Sequence, residues 1–521
     1  MATIISKMIK VIGSKWFFGL VLAVFVGEAA YLALTSRFPM AYDEAWHLAQ
    51  IQFYAQHLNP IISHQAASTY KLGAMVQNPS FLYHYLLSFP YRLIRLFTGS
   101  VVAQVVLLRL ISIALAAASL MVMRRLLWLL NFSKALANLI VFMFALTPIV
   151  VVLSAQISYD NLLILAVSLC AYQTVALLKE LDAGVFNAKR LLGLISLGLF
   201  SSLIKYAFLP VLLGIVILVT WKIIACWRRN SAALKVGFKN SFAAIGQYTK
   251  IGLIGLGLLG MFLFVRIYAV NLVKYHNPVP ECNKVLNVAD CQKYYSYNRL
   301  YVFLQQHQAG QTPNTLSFLQ YSRYWWSLNL AEIFGTVLPL QGYYSANPIF
   351  FLIVVILGFV AVYYWLANIK TIWQRDKYLL SLVFVGLVYI AVLWTKSYVS
   401  YLYLGKFTAL AGRYLLPVLI YFYALLAAGL FHARYRPPAP VWRRQRPSRL
   451  SRYVLGVLPI IAALRYLLSG RHLPLKTIKA GLALVVIVSF LYLGGFHQYI
   501  SVIDPKYGTL NANNKFVLTP T

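Results

Sequence analysis

Two adjacent carboxylates, Asp43 and Glu44, stand in the stretch RFPMAYDEAWHLAQIQFYAQHLNP at residues 37–60. A carboxylate beside an acceptor hydroxyl or amine takes its proton as a general base, and one in an oxygen-rich site helps to hold a divalent cation. If a helix starts at Asp43, then Asp43, His47, Gln50, Tyr54 and His57 follow at intervals of four, three, four and three and share one face. His47, one turn after Asp43, would orient the carboxylate through a hydrogen bond. The plainer reading is capping, because an acid at a helix N-terminus satisfies free amide groups and complements the helix dipole, worth about 1 kcal/mol. Capping explains one acid but not the continuing polar face. Nor does it explain a second isolated acid, Asp160, that opens the apolar run in SAQISYDNLLILA.

The elements that must position these groups are membrane helices. The chain is 61% hydrophobic and 11% charged, with a mean hydropathy of +0.72, which excludes a water-soluble globule. At roughly 20 residues per crossing, apolar runs are expected near residues 16–35, 101–122, 135–153, 161–178, 191–204, 207–225, 251–270, 347–367, 378–395, 412–431 and 480–496. The expected fold is therefore an all-α polytopic membrane protein with about eleven transmembrane helices. The fifth and sixth runs are separated only by Lys205 and Tyr206, as in a tight hairpin. The first run, Trp16 to Leu34, is long enough for a retained anchor rather than a cleaved signal peptide. After its segment of outer residues comes YDEAWHLAQIQFYA, expected to lie as an amphipathic helix along the outer membrane surface.

The net charge of +35 would suit nucleic acid, but the Lys and Arg residues lie between apolar runs. Orientation and contact with anionic membrane lipids account for them better, so no nucleic-acid partner is expected. The dense basic segment RYRPPAPVWRRQRPSRLSR at 434–452, placed inside, puts residues 36–100, 154–160, 271–346, 396–411 and the C-terminal tail outside. Three regions follow: residues 1–431 as the catalytic membrane region, 432–479 as a basic inner loop whose residues 453–469 form an amphipathic helix on the inner surface, and 480–521 as a last span and outer tail. Cys282 and Cys291 share the outer loop ECNKVLNVADC. In an oxidising compartment they form a disulfide worth on the order of 3 kcal/mol. The rival reading, a metal site, lacks a nearby His cluster.

The order of these features resembles the GT-C superfamily of polyprenyl-phosphate-sugar glycosyltransferases, which includes protein O-mannosyltransferases and lipid A aminoarabinose transferases. The resemblance rests on YDEAWHLAQIQFYA after the first span, QNPSFLYHYLLSFP around Pro79, SYDNLLILA around Asp160, LLGLISLGLFSSLIKYAFLPVLLGIVIL around Lys205, and GKFTALAGRYLLPVLI around Arg413. It extends over most of residues 16–431. It implies a GT-C-like bundle with outer-surface amphipathic helices in a bacterial cytoplasmic membrane, its active site facing outside. The implied reaction moves a sugar, with inversion, from a polyprenyl-phosphate donor to a lipid, glycan or protein acceptor. Asp43 would be the base, Glu44 its neighbour and substitute, and Asp160 a ligand for acceptor or metal. Lys205, Lys406 and Arg413 are the candidates for the donor phosphate, against ordinary snorkelling of long cations at span ends.

Two departures temper that pattern. QNPS stands where many relatives have a basic residue and paired prolines, so a phosphate contact from a Lys there is missing. His84 follows in YHYLL and, with Asp43 and His47, offers acceptor contacts or a divalent metal site. No organic cofactor is expected. Glu28 inside the first span is a further buried carboxylate, and SRYWWSLNLAEIFG carries aromatics suited to sugar stacking or to the membrane interface. The competing function is a transporter or ligase-like protein for lipid-linked glycans; the two halves of the chain show no internal repeat of the kind many transporters have.

Overall fold

The computed structural model describes residues 2–36, 38–40, 43–312, 315–335, 348–367, 369–408, 410–432 and 484–491, and all regular structure among them is helical. The basic loop, the 453–469 helix, most of the eleventh run and the tail lie outside the described residues. In chain order the first helices are α1 (Ala2–Ile12), α2 (Lys15–Thr35), α3 (Glu44–Ala55), α4 (Leu82–Phe97), α5 (Val101–Leu129), α6 (Lys134–Ala145), α7 (Pro148–Ser154), α8 (Tyr159–Asp182) and α9 (Ala188–Ile204). There follow α10 (Leu209–Arg229), α11 (Ser231–Ala243), α12 (Gln247–Phe264), α13 (Val270–Tyr275), α14 (Cys282–Val285), α15 (Val288–Gln292) and α16 (Tyr295–Gln308). The last are α17 (Phe318–Gly335), α18 (Pro348–Ala367), α19 (Ile369–Arg375), α20 (Lys377–Leu404) and α21 (Leu416–Ala427).

Every apolar run expected before residue 432 is a helix or a bent helix pair. Among the described residues, seven stretches are long and apolar enough to cross a membrane, or eight if the α6–α7 pair, bent by 67°, is one span. The bend falls at Thr147 before Pro148, where proline lacks the amide that would continue the helix. α9 has 17 residues, short for a straight crossing of a core about 30 Å thick. Its sequence boundaries are local chemistry: Ser100, Ser133, Ser158 and Asn187 cap α5, α6, α8 and α9 with their side chains. The chain is an integral membrane protein whose centre is the packing of α5 on α8, with α2, α6, α9 and α21 around it and α20 joining through α10 and α21.

α3 does not lie on a surface as its polar face suggested. Glu44, His47, Leu48, Gln50, Ile51, Phe53 and Tyr54 are all buried, so the polar face looks into the protein. α4 covers it, and Arg92 of α4 closes its C-terminal end by donating to the carbonyls of Tyr54, Ala55 and His57. The exposed apolar stripe belongs to α4 instead, in Leu86, Phe89, Leu93, Leu96 and Phe97. That stripe is what an amphipathic helix presents to a membrane surface.

Candidate active site

The turn entering α3 brings the two adjacent acids to opposite fates. Asp43 adopts a left-handed conformation (φ 66°, ψ 27°) and its side chain makes no capping bond. Capping is thereby overturned as its role. Asp tolerates this region better than most residues, yet the conformation carries strain of about 1 kcal/mol or more. It aims the half-exposed carboxylate at the buried Arg413, with Oδ2 at 3.2 Å from Nη2. Glu44, by contrast, is completely buried and meets Arg109 through two bonds of 2.8 Å. Its oxygens also accept the amides of Met40 at 2.8 Å and Ile157 at 3.1 Å, while Arg109 donates to the carbonyls of Ala33 and Ser36. Glu44 ties the end of α2, the start of α3 and the α7–α8 turn to α5, and this saturated carboxylate stands apart from a substitute base.

Asp160, at the start of α8, is buried and pairs with Lys205 at 2.6 Å. Lys205 is the extended residue between α9 and a short 3₁₀ turn at Tyr206–Phe208, so the helix break itself delivers the ammonium inward. Its Nζ lies over the rings of Tyr159 (4.3 Å) and Tyr414 (4.8 Å). Lys205 is 3% exposed, which excludes snorkelling toward a membrane surface. Arg413 sits in the 3₁₀ turn Gly412–Leu415 before α21 and is 6% exposed. α17 holds this turn: buried Glu332 accepts the Gly412 amide, and a Cβ on Gly412 would meet the Asn329 carbonyl oxygen at 2.7 Å. Glu332 thus positions the Arg413 turn, a role that its place in SRYWWSLNLAEIFG does not announce.

Lys396, on the exposed flank of α20, was also missed in the sequence. Its Nζ lies 3.4 Å from the Tyr206 hydroxyl and 4.5 Å from that ring's centroid. A lysine in the last third of a long apolar helix gives no positional signal until Tyr206 is placed beside it. Lys406 goes elsewhere: it bonds Gln306 of α16 and lies over Phe303 at 4.6 Å, with no polar contact to Asp43, Asp160, Lys205 or Arg413 among the described residues. The aromatics of α17 divide similarly: Tyr321 is wholly buried in an aromatic cluster with Trp394 and Tyr398 of α20, Trp325 is wholly buried with its ring edge-on to Trp326, and Trp326 is exposed.

The histidines form a buried relay. His47 Nδ1 lies 2.9 Å from His84 Nε2, and His84 Nδ1 lies 3.2 Å from the Ser80 carbonyl oxygen. Burial pushes His84 down to about 3. Burial first, then the positive charges of His84, Arg413 and Lys205, hold His47 well below the usual imidazole range. The QNPS segment is the hub: Asn78 bonds Gln50, Ser80 Oγ accepts the Tyr206 amide, and the Ser80 carbonyl holds His84. With both His84 nitrogens engaged, Asp43, His47 and His84 do not assemble as metal ligands. No group of three His, Cys, Asp or Glu side chains among the described residues could hold an ion. Cys282 and Cys291 are joined in a disulfide, and Tyr294, just beyond α15, stacks on Trp46 of α3 and lies against Gly73. Gly73 needs its missing side chain twice over, for its φ of +85° and for the Tyr294 ring 3.1 Å from a would-be Cβ.

The segments expected on one side of the membrane therefore meet at one end of the bundle: the α2–α3 turn, the start of α8, the α9–α10 break, and the ends of α20 and α21 that face each other. Two carboxylates, Asp43 and Asp160, stand there with three cations, Lys205, Arg413 and Lys396, so the cations outnumber the carboxylates and an anion is favoured. No protein-family profile matches the chain, and no curated protein matches it in sequence. Among solved structures it is similar to ArnT from Cupriavidus metallidurans bound to undecaprenyl phosphate, at 14% identity and a TM-score of 0.39, over 92% of this chain and 70% of that one. It is also similar to the archaeal oligosaccharyltransferase AglB from Archaeoglobus fulgidus, in complex with an inhibitory peptide and a dolichol-phosphate, at 12% identity and a TM-score of 0.41, over 95% of this chain and 57% of that one.

Proposed function

We propose that the chain is a GT-C-type glycosyltransferase that moves a sugar from a polyprenyl-phosphate donor to an acceptor at the outer face of the membrane. The observation that carries this reading is the pairing of a strained, half-exposed Asp43 carboxylate with the buried Arg413, beside two lysines, at the end of an apolar bundle. The donor's isoprenoid tail stays in the bilayer while its phosphate meets Arg413 and Lys396. Asp43 takes the proton from the acceptor hydroxyl as that oxygen bonds to the anomeric carbon. The bond from that carbon to the phosphate oxygen breaks on the opposite side, giving inversion, and the cations stabilise the departing phosphate.

Lys205 lends its charge from behind the Tyr159 and Tyr414 rings, held in place by Asp160. Asp160 is thereby a partner of Lys205 rather than a ligand for acceptor or metal, and no step is routed through a metal. Glu44 acts as a structural pin. The test is transfer by purified protein from a panel of polyprenyl-phosphate sugars to lipid, glycan and protein acceptors. Wild-type transfer that is lost in Asp43→Asn supports the reading. A wild-type protein that moves the lipid-linked sugar across a bilayer, and never cleaves it, would replace this reading with transport.

A further inference from the structure

His47 and Gln50 lie one turn apart on α3, at 1% and 0% exposure, and neither side chain is used by the transfer step. A backbone carbonyl only accepts, so His84 Nδ1 carries the proton it gives to Ser80, and His84 Nε2 accepts from His47 Nδ1. His47 Nε2 is then a lone-pair acceptor, enclosed and without a protein hydrogen-bond partner. Gln50 has the opposite need: its Oε1 accepts from Asn78 at 3.4 Å, and its Nε2 donor is enclosed and unmatched. Buried polar atoms in native proteins almost always find a partner. An acceptor and a donor one helical turn apart match neighbouring sugar hydroxyls, each of which donates once and accepts twice.

Resting on the glycosyltransferase reading above, we propose that His47 Nε2 and Gln50 Nε2 form the subsite that binds hydroxyls of the sugar carried by the polyprenyl phosphate. The Tyr159 ring lies under Lys205 Nζ at 4.3 Å and packs edge-on against the His47 ring at 4.5 Å, and Arg413 meets Asp43 at the entry of α3, so a phosphate held by Arg413 and Lys396 has its sugar, one ester bond away, beside α3. The polar row continues: Gln77 Oε1 and Asn271 Oδ1 are enclosed acceptors without partners, and Asn271 Nδ2 bonds the Gln77 carbonyl at 3.3 Å. Gln77 adjoins Asn78, which already holds Gln50. The polar QNPS segment would thus face the sugar. Ordered water could satisfy the same atoms, and affinity separates the two.

The experiment titrates wild type, Gln50→Met and His47→Asn in detergent with polyprenyl phosphate and with the same carrier bearing one hexose. Asn at 47 keeps a donor near the Nδ1 position and deletes Nε2; Met at 50 keeps length and deletes the donor. The expected result is that wild type prefers the glycosylated carrier, and that each variant loses roughly tenfold toward it while binding the bare carrier within about twofold of wild type. Gln50→Met should melt close to the wild-type temperature, because removal of an unmatched buried donor offsets loss of the long bond from Asn78. A preference kept in both variants, or an equal loss toward both carriers, would overturn the subsite and leave the transferase reading standing. Wild-type protein that binds neither carrier would overturn both.

Discussion

Asp43 Oδ2 and Arg413 Nη2 meet at 3.2 Å although 370 positions separate them in the chain. The contact joins the entry of α3 to the turn before α21, and both partners are held by backbone devices rather than by their own bond. A left-handed residue aims the acid; Glu332 and the close approach of α17 to Gly412 fix the arginine. Because Asp43 caps nothing, its chemistry and its structural role can be tested apart. Asp43→Asn should fold normally and lose sugar transfer by about 100-fold or more, the usual scale for a lost general base. Asp43→Gly relieves the positive φ but also removes the carboxylate that faces Arg413, so its stability should lie within about 1 kcal/mol of wild type, and it should be equally inactive. Transfer retained in either variant would move the base elsewhere.

Glu44 should behave in the opposite way. Its carboxylate is enclosed with Arg109 and two backbone amides, so Glu44→Ala leaves a buried guanidinium uncompensated, at a cost of about 3–5 kcal/mol. Loss of folded protein in detergent, measured by gel filtration and thermal unfolding, is the expected outcome. The paired change Glu44→Leu with Arg109→Met should recover part of that stability. A folded Glu44→Ala with wild-type melting would remove the pin.

The same contrast marks what the sequence could and could not carry. Asp160 at the head of an apolar run, the short helix ending at Lys205, and the cysteine pair in ECNKVLNVADC all announce themselves locally, through periodicity, interruption and spacing. The Glu44–Arg109 pair does not, because Arg109 sits inside what reads as a continuous span, 65 positions away. Lys396 and Glu332 are equally silent, since their roles exist only once Tyr206 and Gly412 are placed beside them. The α3 face was legible as polar, but whether a polar face looks to solvent or to the interior depends on what packs over it. Here α4 covers it.

The neutral histidine relay sets a pH dependence. In the unfolded chain both imidazoles titrate near 6.5, whereas His84 stays neutral down to about 3 and His47 is likewise depressed, with Arg413 and Lys205 adding to the burial. Below about pH 6 the unfolded chain therefore binds protons that the folded protein refuses. Stability is present above the unfolded value and is lost as pH falls, by up to about 1.4 kcal/mol per pH unit for each histidine. Unfolding midpoints of the detergent-solubilised protein should fall between pH 7 and pH 5, and more shallowly in His84→Phe. A midpoint that rises on acidification would mean that the relay carries charge.

Lys205 and Lys396 offer the sharpest separation of position from binding, because both flank Tyr206 yet only one is buried. Lys205→Gln strands the buried Asp160 without its ion partner and should cost about 3–5 kcal/mol, so little folded protein is expected. Lys205→Gln with Asp160→Asn restores neutrality and should fold, leaving donor affinity to report the lysine's charge alone. Lys396→Gln removes an exposed ammonium whose polar partner is one tyrosine hydroxyl, so its melting should be unchanged. If Lys396 meets the donor phosphate, that variant should raise KM for the donor by roughly tenfold with kcat nearly constant, and the gap from wild type should narrow as salt is raised. A fall in kcat with unchanged KM would instead place Lys396 at the departing phosphate in the transition state, and no change in either would leave Arg413 as its principal contact.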